Sequence, residues 1–333
     1  MTSQIARYLQ FCLLCIAVTA VLSACSSSAK EPAPASTPTS PPSPTSLSPS
    51  ATPLPPTDTP KPTATAEPAE PAAITHLRYV TAVDPEAQDE TLDLYYLPGS
   101  NAAKPVVIWA HGSDLDSGTG RTFGRILARD GYVVLSLNWQ DLVTRGGGTA
   151  DLREAVEDAV CALRFAAEHG EEYGADPSRV IWAGFSAGAW LGSIVSIGDG
   201  DPTAVLDAYA AQNDVPDRRV DCLAAADPAQ ITAFIPSAGA YPGDFWLGNG
   251  DNPFYSELMA PLAEYTAVGH NPDLQVRILH GKNDRAGDTA FDNAQAFADA
   301  LQQAGYDVLF LPQDGAHESF QTQVIEQILA LEE

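Results

Sequence analysis

The sequence predicts an α/β fold, a mostly parallel central sheet with helices on both faces, and three observations carry that expectation. Continuous apolar runs such as VVIWA at 106–110 and VVLSL at 133–137 read as strands buried on both sides. Segments with apolar residues at helical spacing lie between such runs. The two patterns alternate through most of the chain, which is how parallel strands are connected.

Taken in order, THLRYVT (75–81) and TLDLYYL (91–97) read as two early strands forming a hairpin. KPVVIWAHG (104–112) is a buried strand stopped by glycine, and TFGRILARDG (122–131) is a short amphipathic helix closed by Gly131. YVVLSLNW (132–139) is the next strand. A long helix follows over 149–174, with Leu152, Ala155, Val156, Ala159, Val160 and Leu163 on one face. RVIWAGF (179–185) is a strand and AGAWLGSIVSIG (187–198) a helix. Further strands are expected at 231–237, 273–281 and 306–312, with helices at 288–305 and 317–333. The long stretches 198–230 and 238–273 read as insertions forming a small cap or lid.

The N-terminal part has a different character. Arg7 and the apolar run 11–22 form a signal-like segment too short to span a bilayer comfortably. It ends in Leu22-Ser23-Ala24-Cys25, which resembles the lipobox of bacterial lipoproteins and implies lipidation of Cys25. The alternative is an ordinary secretory signal. Residues 25–73 hold 14 of the chain's 27 prolines, too few core-forming residues to fold, and read as a disordered spacer. The organisation expected is a signal peptide at 1–24, a linker with its lipid anchor at 25–73 and a folded domain at 74–333. The domain would then be exported and held at the membrane by its lipid.

A net charge of −26 excludes nucleic acid as a partner, because such a surface repels phosphate backbones. Of five cysteines, Cys12 and Cys15 would leave with the signal, and Cys25 would carry lipid. Cys161 and Cys222 remain, either as a disulfide or as two buried thiols.

Ligand and catalytic sites of parallel sheets lie beyond the carboxyl ends of the strands, and four features fall there. Ser186 sits in Gly-x-Ser-x-Gly between a strand and a helix, where a sharp turn exposes the hydroxyl. Asp284 follows the strand ending in His280-Gly281 and suits the orienting of an imidazole; Asp288 is its rival. His317 follows the last strand, at the expected start of the last helix, and suits a general base. His111-Gly112-Ser113 turns after another strand, and its amides, with that of Ala187, suit a developing oxyanion. His111 and His280 each precede a glycine at a strand end and are read as shaping those turns.

From Ile74 to the C terminus, 260 of the 333 residues, the chain resembles an α/β-hydrolase. KPVVIWAHGSDLDSG, RDGYVVLSLNW and DPSRVIWAGFSAGAWLG are similar to segments of its carboxylesterase and acetyl-esterase branches, which include hydrolases of plant-wall esters. The resemblance implies Ser186 as nucleophile, His317 as base, Asp284 as its orienter, and the amides of Ser113 and Ala187 as oxyanion hole. Many members carry His-Gly-Gly-Gly where this chain has His-Gly-Ser-Asp, which places Asp114 close to the site. The reaction implied is hydrolysis of a small or polymer-linked ester through an acyl-enzyme, with no metal or organic cofactor. Tyr241, Phe245, Trp246, Phe254 and Tyr255 either wall an acyl pocket or pack within the cap. A serine peptidase on the same fold, or a non-catalytic surface binding protein on a hydrolase scaffold, are the competing readings.

Overall fold

The computed structural model describes residues 69–140, 149–197, 218–241, 271, 273–285 and 287–331. All belong to the compact unit Thr65–Glu333. Cys25, Phe245, Trp246, Phe254, Tyr255 and the signal and linker segments lie outside the described residues, apart from the last few positions before the domain.

Eight strands form one sheet. β1 (Ala72–Arg78) and β3 (Thr91–Tyr96) pair antiparallel, so the expected hairpin forms, and β1 starts two residues inside the stretch read as linker. β3 pairs antiparallel with β5 (Val133–Leu137). From there the sheet is parallel: β5, β4 (Lys104–Ala110), β6 (Ala175–Phe185), β8 (Ile231–Ser237), β9 (Gln275–Gly281) and β10 (Asp307–Gln313). The full order is β1-β3-β5-β4-β6-β8-β9-β10.

The continuous apolar runs are explained by two cores, one on each face. Val106, Ile108, Val180 and Trp182 point to one face, where α2 (Thr149–His169), α3 (Ala187–Ile197) and α4 (Phe291–Gln303) pack. Val107, Trp109, Ile181 and Ala183 point to the other, against α1 (Arg121–Arg129) and α5 (Gln321–Ala330). Adjacent residues of one strand thus feed opposite cores, so neither face tolerates a polar alternation.

A second, two-stranded sheet pairs β2 (Val80–Ala82) with β7 (Val220–Cys222). β7 lies in the stretch expected to be cap. Buried charges anchor it: Arg219 meets Glu154 at 3.0 Å and Asp84 at 3.3 Å, and Glu157 accepts from the amides of Arg219 and Val220. A disulfide joins Cys161 of α2 to Cys222 of β7.

Candidate active site

The parallel strands end at one edge of the sheet, where Ala110 of β4 pairs with Gly184 of β6, and Phe185 with Ser237 of β8. Ser186 is the single residue between β6 and α3. Its φ of +53° is a left-handed conformation that costs a residue with a β-carbon roughly 1–2 kcal/mol. Two backbone bonds hold it there: its amide donates to the Ser237 carbonyl at 3.1 Å, and its carbonyl accepts from the Trp190 amide at 3.0 Å. The flanking glycines allow the turn to be this tight. A β-carbon on Gly188 would strike the carbonyl oxygens of Ala110 and His111, and one on Gly184 would strike the Gly188 carbonyl.

His317 lies in the loop between β10 and α5 and not in the first turn of the last helix. Phe320, with φ +45°, breaks the chain direction, so α5 begins only at Gln321. The loop is tied to its neighbours by Asn283 N–H to the Gly315 carbonyl at 2.9 Å and Ser237 Oγ–H to the Ser319 carbonyl at 2.7 Å. The imidazole stands against the Phe185 ring, centroids 5.1 Å apart. Its Nδ1 is 2.8 Å from Asp284 Oδ2 and its Nε2 is 3.0 Å from Ser186 Oγ. A carboxylate only accepts, so Nδ1 carries the proton and Nε2 presents its lone pair to the serine hydroxyl.

Asp284 is 2% exposed, and its second oxygen accepts from Thr289 Oγ1 at 3.1 Å. The rival, Asp288, instead uses its carbonyl, which accepts from the Tyr241 amide at 2.8 Å. Burial holds the His280 imidazole below its usual range, and that ring donates to the Thr289 carbonyl at 2.6 Å. His280 therefore does more than shape the turn before Gly281, and Thr289 carried no signal in the sequence at all.

The turn after β4 passes beside Ser186. A β-carbon on Gly112 would stand 3.1 Å from Ser186 Cβ and closer still to the Phe185 ring, so glycine is required for the approach. Ser113 follows it, half-buried. Ala187 opens α3, and the first amides of a helix have no carbonyl four residues back to bond. The buried His111 ring contacts the Gly112 carbonyl at 2.7 Å, which fits its expected part in the turn. Asp114 is exposed, with φ +60°.

Tyr241 does not wall an open pocket. It is fully buried, stacked on Phe297 with centroids 4.2 Å apart, and its ring stands 6.4 Å from that of His280. Its hydroxyl is raised above the usual range by burial. A hollow of about 430 Å³ lies elsewhere, around the Cys161–Cys222 disulfide and Arg153, Arg164 and Arg218; none of its lining residues belongs to the Ser186–His317–Asp284 array. Among the described residues, no group of three or more His, Cys, Asp or Glu is placed to hold a metal ion.

Comparison with known proteins agrees with this architecture. A family model described as BD-FAE matches residues 92–299. Phenmedipham hydrolase of Pseudarthrobacter oxydans is 33% identical over 136 residues, covering 37% of this chain and 26% of that protein. Esterase LipI of Mycobacterium tuberculosis is 32% identical over 122 residues, 34% of this chain and 36% of that protein. The chain thus spans only about a quarter to a third of the length of these curated relatives. Among solved structures, esterase B from Lactobacillus rhamnosis superposes with a TM-score of 0.57 at 20% identity, covering 79% of this chain and 84% of that one. At that identity the likeness speaks for the fold, the α/β-hydrolase fold expected from the motifs.

Proposed function

Because the chain belongs to the BD-FAE family, we propose that it is a serine hydrolase that cleaves carboxylic esters through an acyl-enzyme on Ser186. The observation that carries the reading is the continuous contact from Ser186 Oγ to His317 Nε2 at 3.0 Å and from His317 Nδ1 to Asp284 at 2.8 Å. Relatives and neighbours that are themselves esterases support an ester as the bond attacked.

Ser186 Oγ adds to the ester carbonyl carbon while its proton passes to His317 Nε2. Asp284 stabilises the imidazolium that forms. The carbonyl oxygen becomes an oxyanion held by the amides of Ser113 and Ala187. On collapse the alcohol leaves with the proton from His317. Water then attacks the acyl-enzyme carbonyl while its proton passes to His317, and on collapse the acid leaves as Ser186 Oγ takes that proton back from His317. The net charge of −26 disfavours strongly anionic substrates.

The same reading extends to location. Cys25 is the lipid anchor and 25–73 the spacer that holds the domain off the membrane, facing away from the cytoplasm. Cys25→Ala should move the protein from the membrane to the soluble fraction; an unchanged distribution contradicts the anchor.

The activity is tested by hydrolysis of p-nitrophenyl esters of increasing chain length beside the matching anilides. Turnover of esters alone supports the reading. Preferential turnover of anilides points to a peptidase, and silence in folded protein toward every ester points to a binding protein on this scaffold.

A further inference from the structure

The position of the Asp284 carboxylate is set by groups that the Ser186–His317–Asp284 array does not include. His280, near the end of β9, is fully buried. Its Nε2 stands 2.6 Å from the Thr289 carbonyl oxygen. That oxygen can only accept, so Nε2 carries the proton. Nδ1 is then the lone-pair nitrogen, and among the described residues it is buried without a hydrogen-bond partner. Protonating it would bury both a charge and an unmatched N–H beside Tyr241 and Phe291, so the ring stays neutral. His280 is a fixed donor, not a switch.

Thr289 passes that constraint on. Its carbonyl is held by His280, and its hydroxyl donates to Asp284 Oδ1 at 3.1 Å. Oδ2 is left to His317 at 2.8 Å. His280 Nε2 is also 3.6 Å from Oδ2, beyond hydrogen-bond range but with its positive end near the carboxylate. The turn carrying Thr289 is fixed from three further directions: Tyr241 N–H to the Asp288 carbonyl at 2.8 Å, Asn293 Nδ2–H to the Gly287 carbonyl at 3.1 Å, and Phe291 N–H to the Asp284 carbonyl at 3.1 Å.

We propose that His280 and Thr289 are positioning residues for the acid, His280 fixing the Thr289 backbone and Thr289 holding one carboxylate oxygen so that the other stays on His317. The inference rests on the reading of Ser186, His317 and Asp284 as the catalytic array. Besides His280 and His317, the ionisable groups near the acid among the described residues are Arg285 and Asp288 in its own turn, Tyr241, whose ring stands 6.4 Å from that of His280, and Glu318, next to the base in the chain. Arg285 directs a guanidinium N–H to the Asp284 carbonyl at 3.1 Å and not to its carboxylate.

The test is kcat and KM for p-nitrophenyl butyrate from pH 5 to 9, in the wild type and in Thr289→Val, Thr289→Ser, His280→Met and His280→Gln. Labelling of Ser186 by a fluorophosphonate is read alongside. Valine and methionine remove the donors; serine and glutamine keep them. Thr289→Val and His280→Met should lower kcat about tenfold with KM little changed, the effect of losing a hydrogen bond that serves a charged group. They should also move the acid limb of the kcat/KM profile to lower pH, because a displaced carboxylate supports the imidazolium less. Thr289→Ser and His280→Gln should recover most of the rate and the wild-type limb. Wild-type rates and limbs in the valine and methionine variants, with Ser186 still labelled, overturn the positioning role alone. Equal losses in all four variants with an unmoved limb overturn it too, by reducing it to packing. An unlabelled Ser186 in the wild type overturns the underlying reading, and the proposal with it.

Discussion

Removing the Cys161–Cys222 disulfide perturbs the tie between the side sheet and the main domain, and its cost can be worked from the chain. The two cysteines are 61 positions apart. Closing a loop of that length in the unfolded chain is worth about 4 kcal/mol of chain entropy. In the folded state β7 is also held by its pairing with β2 and by the Arg219–Glu154 and Glu157 contacts, so the native geometry should outlast the bond. The loss then falls mainly on the unfolded side of the balance. For a domain of this size each kcal/mol moves the melting temperature by about 2–4 °C, so Cys161→Ala/Cys222→Ala should melt roughly 8–16 °C lower. Calorimetry of the variant, and of the wild type with and without reductant, reads this directly. Ester turnover at 25 °C should persist, because neither cysteine touches Ser186, His317 or Asp284. A variant that melts within about 2 °C of the wild type would refute the entropic argument.

Two further predictions concern buried charge. Burial, with Glu90, Glu154 and Glu157 nearby, raises the Asp158 carboxyl well above its usual range. The folded state then keeps a proton that the unfolded chain releases above about pH 4, so this group's contribution is fully present below that pH and is lost as pH rises toward its folded-state value. Asp158→Asn keeps an acceptor for the Gln140 amide and should lose less stability than the wild type between pH 5 and 8, read as urea midpoints; parallel curves contradict it. Arg219→Met strands the buried Glu154 carboxylate and should cost about 3–5 kcal/mol in urea unfolding, as for other broken buried pairs. A loss under about 1 kcal/mol would mean that the pair is not dry.

The parts of the fold legible in the sequence are those where local pattern and final environment agree. β4 and β5 read as buried strands because both of their faces meet apolar cores. Gly-x-Ser-x-Gly reads as a sharp turn because the close approach of α3 to β6 leaves no room for a side chain at Gly184, and its approach to the end of β4 leaves none at Gly188. β7 was not legible: three residues in a polar stretch become a strand only by pairing with β2, far away in the chain. The sequence places the start of α5 too early, because the left-handed Phe320 has no signature in HESFQTQV. Tyr241 sits where an aromatic residue after a strand could face either the pocket or the core, and the space beside Phe297 decides it. Thr289 and His280 act through a carbonyl and a hydroxyl on a turn, and no spacing rule marks such a contact.

The proposed reaction requires a covalent intermediate at Ser186. Rapid mixing with excess p-nitrophenyl butyrate, followed by acid quench and peptide mapping, measures it. Expected are release of p-nitrophenol at least as fast as steady turnover, a butyryl group on the peptide containing Ser186, and loss of both in Ser186→Ala. Turnover by Ser186→Ala at the wild-type rate, or an acyl group mapped to another residue, would contradict it.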